Sequence, residues 1–436
     1  MFKKFIKSAK LILSNTTLLR RIGITLAILL VFKVGTFITI PLIDTEAIEN
    51  TLAQSDFLGL LNTFSGGGLG NFSVLALGIS PYITASIVVQ MLQLVIPQLK
   101  EMAEEGETGK QKINRITRYA SLVLAFVQAL ALIFGLSSTA ENILDIFVIK
   151  DHAALPFYYI YMALVITAGS CFTVWIADLI TQYGIGNGSS MIIGAGIITQ
   201  IPAMFAALKS EYLTDVTAGN VTCFIVIILL YILVILGVVF LEATVRKIPV
   251  QYANRQGKSD SNIPIKLNTS GVIPVIFAST IMSLPLTVLG LLGFSESSNQ
   301  ASYWLNQVFS TSYPIGIIIY IILIYLFSFF YAFMQLDPAK VSDNLQKSNA
   351  YIPTVRPGQE TENYISRVLF KVTLIGATYL ALLALIPIIT EKAFGYTSST
   401  ITIGGTGLLI VVGVAIETMK QLEADANEQT YSGFIE

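Results

Sequence analysis

The residues whose types and spacing could do chemistry are few, and each fails a specific requirement. EGETGK at 105–110 resembles part of a phosphate-binding loop, but it lacks the full glycine spacing and the Ser or Thr that should follow its Lys. It reads as a solvated loop. A single histidine, His152, stands beside Lys150 and Asp151; common metal sites need three or four clustered ligands, so His152 reads as a loop residue and no metal site is expected. The chain has no HExxH pair for a zinc protease, no GxSxG nucleophile turn and no paired aspartates within apolar runs for an aspartyl protease. Cys171 and Cys223 both lie in apolar stretches, which leaves no disulfide framework. Catalysis is not expected, and neither is a cofactor.

The elements that would have to position such residues are membrane spans. Of 436 residues, 54% are hydrophobic and 12% charged, and mean hydropathy is +0.72, whereas a soluble domain carries roughly 25% charged residues. The chain reads as an all-α polytopic membrane protein. Spanning runs fall near 22–40, 72–96, 119–136, 157–180, 185–207, 221–242, 271–293, 315–334, 368–390 and 401–419, each long enough for about 20 residues of helix. Within them the ionisable groups are Lys33, Asp178, Glu242 and Glu417, and the last three lie near span ends. An ion-coupled pump places such groups nearer the midplane, so a passive path fits better than a solute transporter. Lys33 reads as snorkelling or structurally paired. The basic segment 1–21 precedes a full-length span without a small-residue cleavage pattern, which fits a retained first helix.

Placement of Lys and Arg sets the orientation, because cytoplasmic loops keep the excess positive charge. The N-terminal segment, the loops after the second, sixth and eighth spans, and the tail hold nearly all of the 26 Lys and Arg; the opposite loops hold only Lys150, Lys209 and Lys392. Both termini are therefore expected in the cytoplasm. Ten spans divide into two halves of five, 22–207 and 221–419, joined by an external hinge at 208–220 and flanked by segments 1–21 and 420–436. Five is odd, so the halves must be inverted relative to each other, an arrangement that commonly builds a pathway at the interface.

Residues 57–96 combine a short amphipathic piece, FLGLLNTF, a glycine-rich SGGGLG and a long apolar run. A half-inserted segment hinged on glycines needs protein or a water-filled cavity around it at membrane depth, so the stretch suggests a cavity. In the second span Ile79, Ile83 and Ile87 share one helix face, which fits lipid or helix packing, while Ser86 and Gln90 place polar groups where lipid would be costly. Two cytoplasmic loops exceed simple connectors. Residues 244–270 alternate apolar and polar positions on each side of a QGKSD tip, which predicts a hairpin; 335–366 predict a short helix followed by PTVRPG. A basic loop can be only the orientation signal, but this length points to a docking surface.

Several motifs, in this order, resemble the SecY family of protein-conducting channels: FSGGGL with ALGISPYITASI (64–87), EGETGK (105–110), GIGNGS (184–189), PIKLNTSGVIPVIFAS (264–279), DNLQKSNAYIPTVRPG (343–358) and GGTGLLI (404–410). The resemblance covers nearly the whole chain. It implies an hourglass pore between the two five-helix halves in the bacterial cytoplasmic membrane, closed outside by a plug and at mid-membrane by a ring of aliphatic side chains. On that resemblance residues 57–70 are the plug, with Phe57, Leu60, Leu61, Phe64, Gly66, Gly67 and Gly68 as its named members. The ring falls on Ile79, Ile83, Ile193, Ile276 and Ile410, with Ser189 at a sixth position where isoleucine is common in the family.

The same resemblance implies a lateral gate between the second and third spans and the seventh and eighth, for which Ser86, Gln90, Gln128 and Thr280 are the polar candidates. It makes Arg246, Lys247, Arg255, Lys258, Lys266 and Arg356 the docking residues for the motor ATPase SecA and for the ribosome, where attraction to RNA phosphates would be sequence-independent and salt-sensitive. Further partners implied are the SecE and SecG subunits, signal peptides, nascent polypeptides and membrane lipid. With no nucleotide site in the chain, energy is expected from a partner or a gradient.

Overall fold

A computed structural model of the chain describes residues 15–41, 62, 65–139, 155–213, 218–252, 261–291, 300–394 and 399–432. Ten helices coincide with the ten expected spans: α1 (Thr16–Gly35), α2 (Ser80–Val95), then after a short α3 (Pro97–Glu104), α4 (Glu107–Thr139), α5 (Leu155–Tyr183), α6 (Gly188–Tyr212) and α7 (Ala218–Ala243). The strands β1 (Val245–Tyr252) and β2 (Ser261–Lys266) follow, then α8 (Ile273–Leu291), the short α9 (Gln300–Phe309) and α10 (Pro314–Gln335). The chain continues through α11 (Pro338–Lys347), β3 (Ala350–Tyr351), α12 (Gln359–Phe394) and α13 (Ser399–Ser432).

Six of these helices, α4, α5, α6, α7, α10 and α12, are long and apolar enough by themselves to cross a bilayer. Their outward faces carry large apolar side chains, such as Leu236 at 64% and Ile389 at 58% exposure, as lipid contact demands. Of the others, α1 carries Arg20, Arg21 and Lys33 within its 20 residues, and α2 meets α3 at a bend of 104°.

Sequence-level signals set the helix starts. Asn15 accepts from the Thr17 N–H and Asn187 from the Ser189 N–H, so each satisfies a backbone donor that the first turn leaves orphaned. Pro81 occupies the first turn of α2, where its missing N–H costs nothing. That proline, with Gly78 at φ 53°, explains why the expected span 72–96 is helical only from Ser80. The turns before it keep their polar groups paired: Ser73 N–H donates to the Gly68 carbonyl at 2.8 Å, Ile40 N–H to Phe72 at 3.1 Å and Val74 N–H to Ile38 at 3.0 Å. Such pairing is what irregular backbone requires at membrane depth.

Packing repeats with a period of five spans. As α1 packs on α5 and α6, so α7 packs on α12 and α13; α2 on α4 matches α8 on α10, α4 on α5 matches α10 on α12, and α5 on α6 matches α12 on α13. The halves meet where α6 packs on α13 and where α8 packs on α2 and α4. The same pattern of helix neighbours thus recurs in the two five-helix parts of the chain.

The two long loops form one structure. The expected hairpin is antiparallel, with Val245 opposite Lys266 and Val250 opposite Ser261. Its other edge takes β3 from the second loop, giving the order β2-β1-β3. Ile248, Val250, Ile265, Leu345, Ile352 and Leu369 bury a common apolar core beneath it.

Candidate functional site

Five of the six expected ring positions fall in one buried apolar cluster. Ile79 caps the start of α2 and Ile83 lies one turn inside it, while Ile193, Ile276 and Ile410 sit on α6, α8 and α13; all are buried in one apolar cluster spanning both halves. Missing side chains let these helices approach. A Cβ on Gly407 of α13 would stand 2.6 Å from Ile197 of α6, and one on Gly413 would stand 2.0 Å from Val272. Ser189 lies one turn before Ile193, half-buried, with its Oγ bonded to Asn187 Oδ1 at 2.6 Å. Its hydroxyl is thus held at the helix cap.

The glycine segment lies one step further along α6. Gly66 and Gly67 have φ of 69° and 89°, values that L side chains resist. A Cβ on Gly66 would come 3.1 Å from Gly196 Cα, and one on Gly67 would come 2.7 Å from the Gln200 amide nitrogen. Since Gly196 follows Ile193 by three residues of helix, the segment rests about 4.5 Å along the α6 axis beyond the isoleucine level. Gly68 accepts from Ser73, and Ser65 Oγ accepts from the Leu69 N–H, which closes the segment into a compact turn. Phe57, Leu60, Leu61 and Phe64 lie outside the described residues.

Among the polar candidates where the halves abut, Ser86 and Gln90 come together: Gln90 Nε2 donates to Ser86 Oγ at 3.1 Å. The Tyr331 hydroxyl on α10 donates to Gln90 Oε1, bridging the second and eighth spans. Phe277 stacks edge-on against Tyr331, with ring centroids 5.0 Å apart. Thr280 spends its hydroxyl on the Ile276 carbonyl of its own helix at 2.7 Å, and Gln128 keeps a buried Oε1 without a partner. Sequence reasoning missed Tyr331. The available signal was three tyrosines, Tyr320, Tyr325 and Tyr331, in a largely apolar helix, since a buried hydroxyl usually needs an acceptor.

On the sheet side, Arg246 and Lys247 lie on β1 and Lys266 opposite Val245 on β2, while Arg356 is exposed in the turn before α12. Arg255 and Lys258 fall outside the described residues. Arg246 shares a cavity of about 280 Å³ with Tyr364, Arg367, Val368 and Lys371, a lining with three cations and no carboxylate. Arg367 and Lys371 entered the sequence reading only as orientation signals. Beneath the hairpin, Lys420 Nζ donates to the Glu242 carbonyl at 2.6 Å and pairs with its carboxylate at 3.3 Å. Asn268 Nδ2 donates to Glu242 Oε1 at 3.1 Å and to the Gly271 carbonyl at 2.8 Å. This node joins α7, the base of the hairpin and α13.

Residues 73–419 match the SecY family model. The protein translocase subunit SecY of Halalkalibacterium halodurans is 42% identical over 428 residues, covering 95% of this chain and 96% of that one. The protein translocase subunit SecY of Staphylococcus carnosus is 40% identical over 445 residues, covering 100% and 99%. Among solved structures, a protein-conducting channel superposes with a TM-score of 0.65 at 20% identity, over 92% of this chain and 91% of that one. Sec61 in a canine ribosome-channel complex superposes at 0.62 and 20% identity, over the same shares.

Proposed function

This chain belongs to the SecY family, and from that premise we propose that polypeptides cross it along the seam between its two halves. It is a multi-pass membrane protein that acts as the channel subunit of a protein translocase. The observation that supports the proposed route is that Ile79, Ile83, Ile193, Ile276 and Ile410, drawn from both halves, all belong to one buried apolar cluster. A narrow aliphatic constriction resists wetting and ions, and isoleucine supplies bulk without charge. Gly66, Gly67 and Gly68, with the rest of 57–70, form the seal outside it; Ser189 is the polar step on its cytoplasmic side.

Apolar segments leave sideways into lipid where α2 and α4 face α8 and α10. Ser86, Gln90, Gln128 and Thr280 tune that gate, and the Tyr331–Gln90 bond supports this reading by tying its two sides. The sheet and its basic cavity are the docking surface for the motor ATPase SecA and the ribosome, through Arg246, Lys247, Arg255, Lys258, Lys266 and Arg356. Structural neighbours include channel complexes bound to ribosomes, which supports the ribosome as a partner. SecE and SecG complete the assembly. The excess of Lys and Arg on one side supports a bacterial cytoplasmic membrane location with both termini in the cytoplasm. The chain performs no catalysis itself; a motor, the ribosome or a gradient supplies the work.

Reconstitution with SecE, SecG, SecA and ATP tests this directly. A signal-bearing preprotein is expected to become protease-protected inside the vesicles. No protection despite correct assembly would contradict the motor-driven route.

A further inference from the structure

Lys33 is a charged residue in the last turn of the apolar helix α1. Among the described residues its ammonium reaches no carboxylate: Nζ donates to the Gly66 carbonyl at 2.9 Å and lies 5.0 Å from the Phe37 ring centroid. On α6, Thr199 Oγ1 donates to the Gly196 carbonyl at 2.7 Å and lies 3.5 Å from the Gly66 carbonyl. Gly67 is seated beside the Gln200 amide and within reach of Lys33 itself, where a Cβ would stand 2.7 Å from Gln200 Nε2 and 3.9 Å from Lys33 Nζ. The glycine turn therefore lies between polar groups of α1 and α6, and Lys33 makes the shortest hydrogen bond that reaches it from either helix.

An ammonium within a span is costly unless it is paired or reaches water. Two residues from the end of α1, Lys33 could snorkel to the outer interface, but it is turned onto the glycine turn instead. A carbonyl and an aromatic face offset only part of the desolvation of three strong donors. The arrangement has two states. With the turn in place, the ammonium is spent on it; with the turn gone, the ammonium is left on the wall of a water-filled path. Resting on the reading of 57–70 as the seal, we propose that Lys33 latches the glycine turn in the resting channel and, once the turn is displaced, becomes the fixed cation that biases the path toward anions and against cations.

Ion flux through the purified, reconstituted complex tests both halves of this, using Lys33→Met, Lys33→Arg and a deletion of residues 60–68, singly and combined. Lys33→Met raises resting leak about tenfold, the change in closed-state occupancy expected from losing one charged hydrogen bond, while Lys33→Arg stays near the parent level. In the deletion background Lys33→Met adds no further leak, but it shifts the reversal potential in a KCl gradient toward cation permeability. A merely structural lysine would not move that potential. Should the deletion leak while Lys33→Met matches the parent, the latch is refuted and the seal stands. If the deletion itself does not leak, the seal reading fails and the latch with it. An unchanged reversal potential in the combined variant refutes the selectivity role.

Discussion

Replacing Ile193 with aspartate raises the ion conductance of the resting channel by about tenfold or more, the factor that each 1.4 kcal/mol removed from a barrier gives. Ile193 is only 3% exposed and belongs to the same apolar cluster as Ile79, Ile83, Ile276 and Ile410. A carboxylate there has no cation to meet among those neighbours. Burying an unpaired ion costs several kcal/mol, so the cheaper outcome is to draw water into the constriction. Once wetted, the constriction no longer excludes ions. The control is Ile193→Val, which trims one methylene, costs about 1 kcal/mol of stability and preserves the seal. Equal conductance of the aspartate variant and the parent, with the protein folded, would show that Ile193 does not line the barrier.

Glu242→Ala lowers the stability of the C-terminal half by about 2–3 kcal/mol, toward the lower end for breaking a buried ion pair because one partner is partly solvated. The Glu242 side chain is 7% exposed, whereas that of Lys420 is 36% exposed. Removing the carboxylate also strips Asn268 of one acceptor, and with it a restraint on the turn that leads into α8. Thermal unfolding in detergent measures the loss, and Lys420→Met gives one at least as large, since it leaves the buried Glu242 carboxylate without its cation, whereas Glu242→Ala leaves a partly solvated lysine. Because Ile276 and Ile410 sit on the helices this node fixes, Glu242→Ala also raises resting leak, though less than Ile193→Asp. A midpoint equal to the parent would mean that the pair adds nothing beyond its solvated alternative.

The positions of the apolar helices were legible in the sequence because they depend on local hydropathy, which acts residue by residue. The hairpin at 244–270 was legible through its alternation. What escaped depends on contacts between distant segments. β3 is two residues long, Ala350–Tyr351, too short for any pattern, and it exists only because β1 offers an edge. The truncated start of α2 was written in Gly78 and Pro81, yet its stability comes from Ile38, Ile40 and Ser170, the last of which donates to the Gly78 carbonyl at 3.1 Å. Lys33 read as snorkelling or paired; its acceptor, a glycine carbonyl, leaves no mark in a sequence. The pairing of Tyr331 with Gln90 joins residues 241 positions apart, and the cavity gathers Arg246 with Arg367 and Lys371 from two elements; neither can be read from local pattern.

The proposed route requires that cargo pass between the halves and touch the isoleucines that share this buried cluster. Photocrosslinking probes placed singly at positions 83, 193, 276 and 410, with a polypeptide arrested midway through the reconstituted channel, test it most directly. The account predicts crosslinks to cargo at all four, and crosslinks to lipid alone from probes at Leu236 and Ile389, which face outward at 64% and 58% exposure. Cargo crosslinking at the outward positions, with none at the four isoleucine positions, would contradict it.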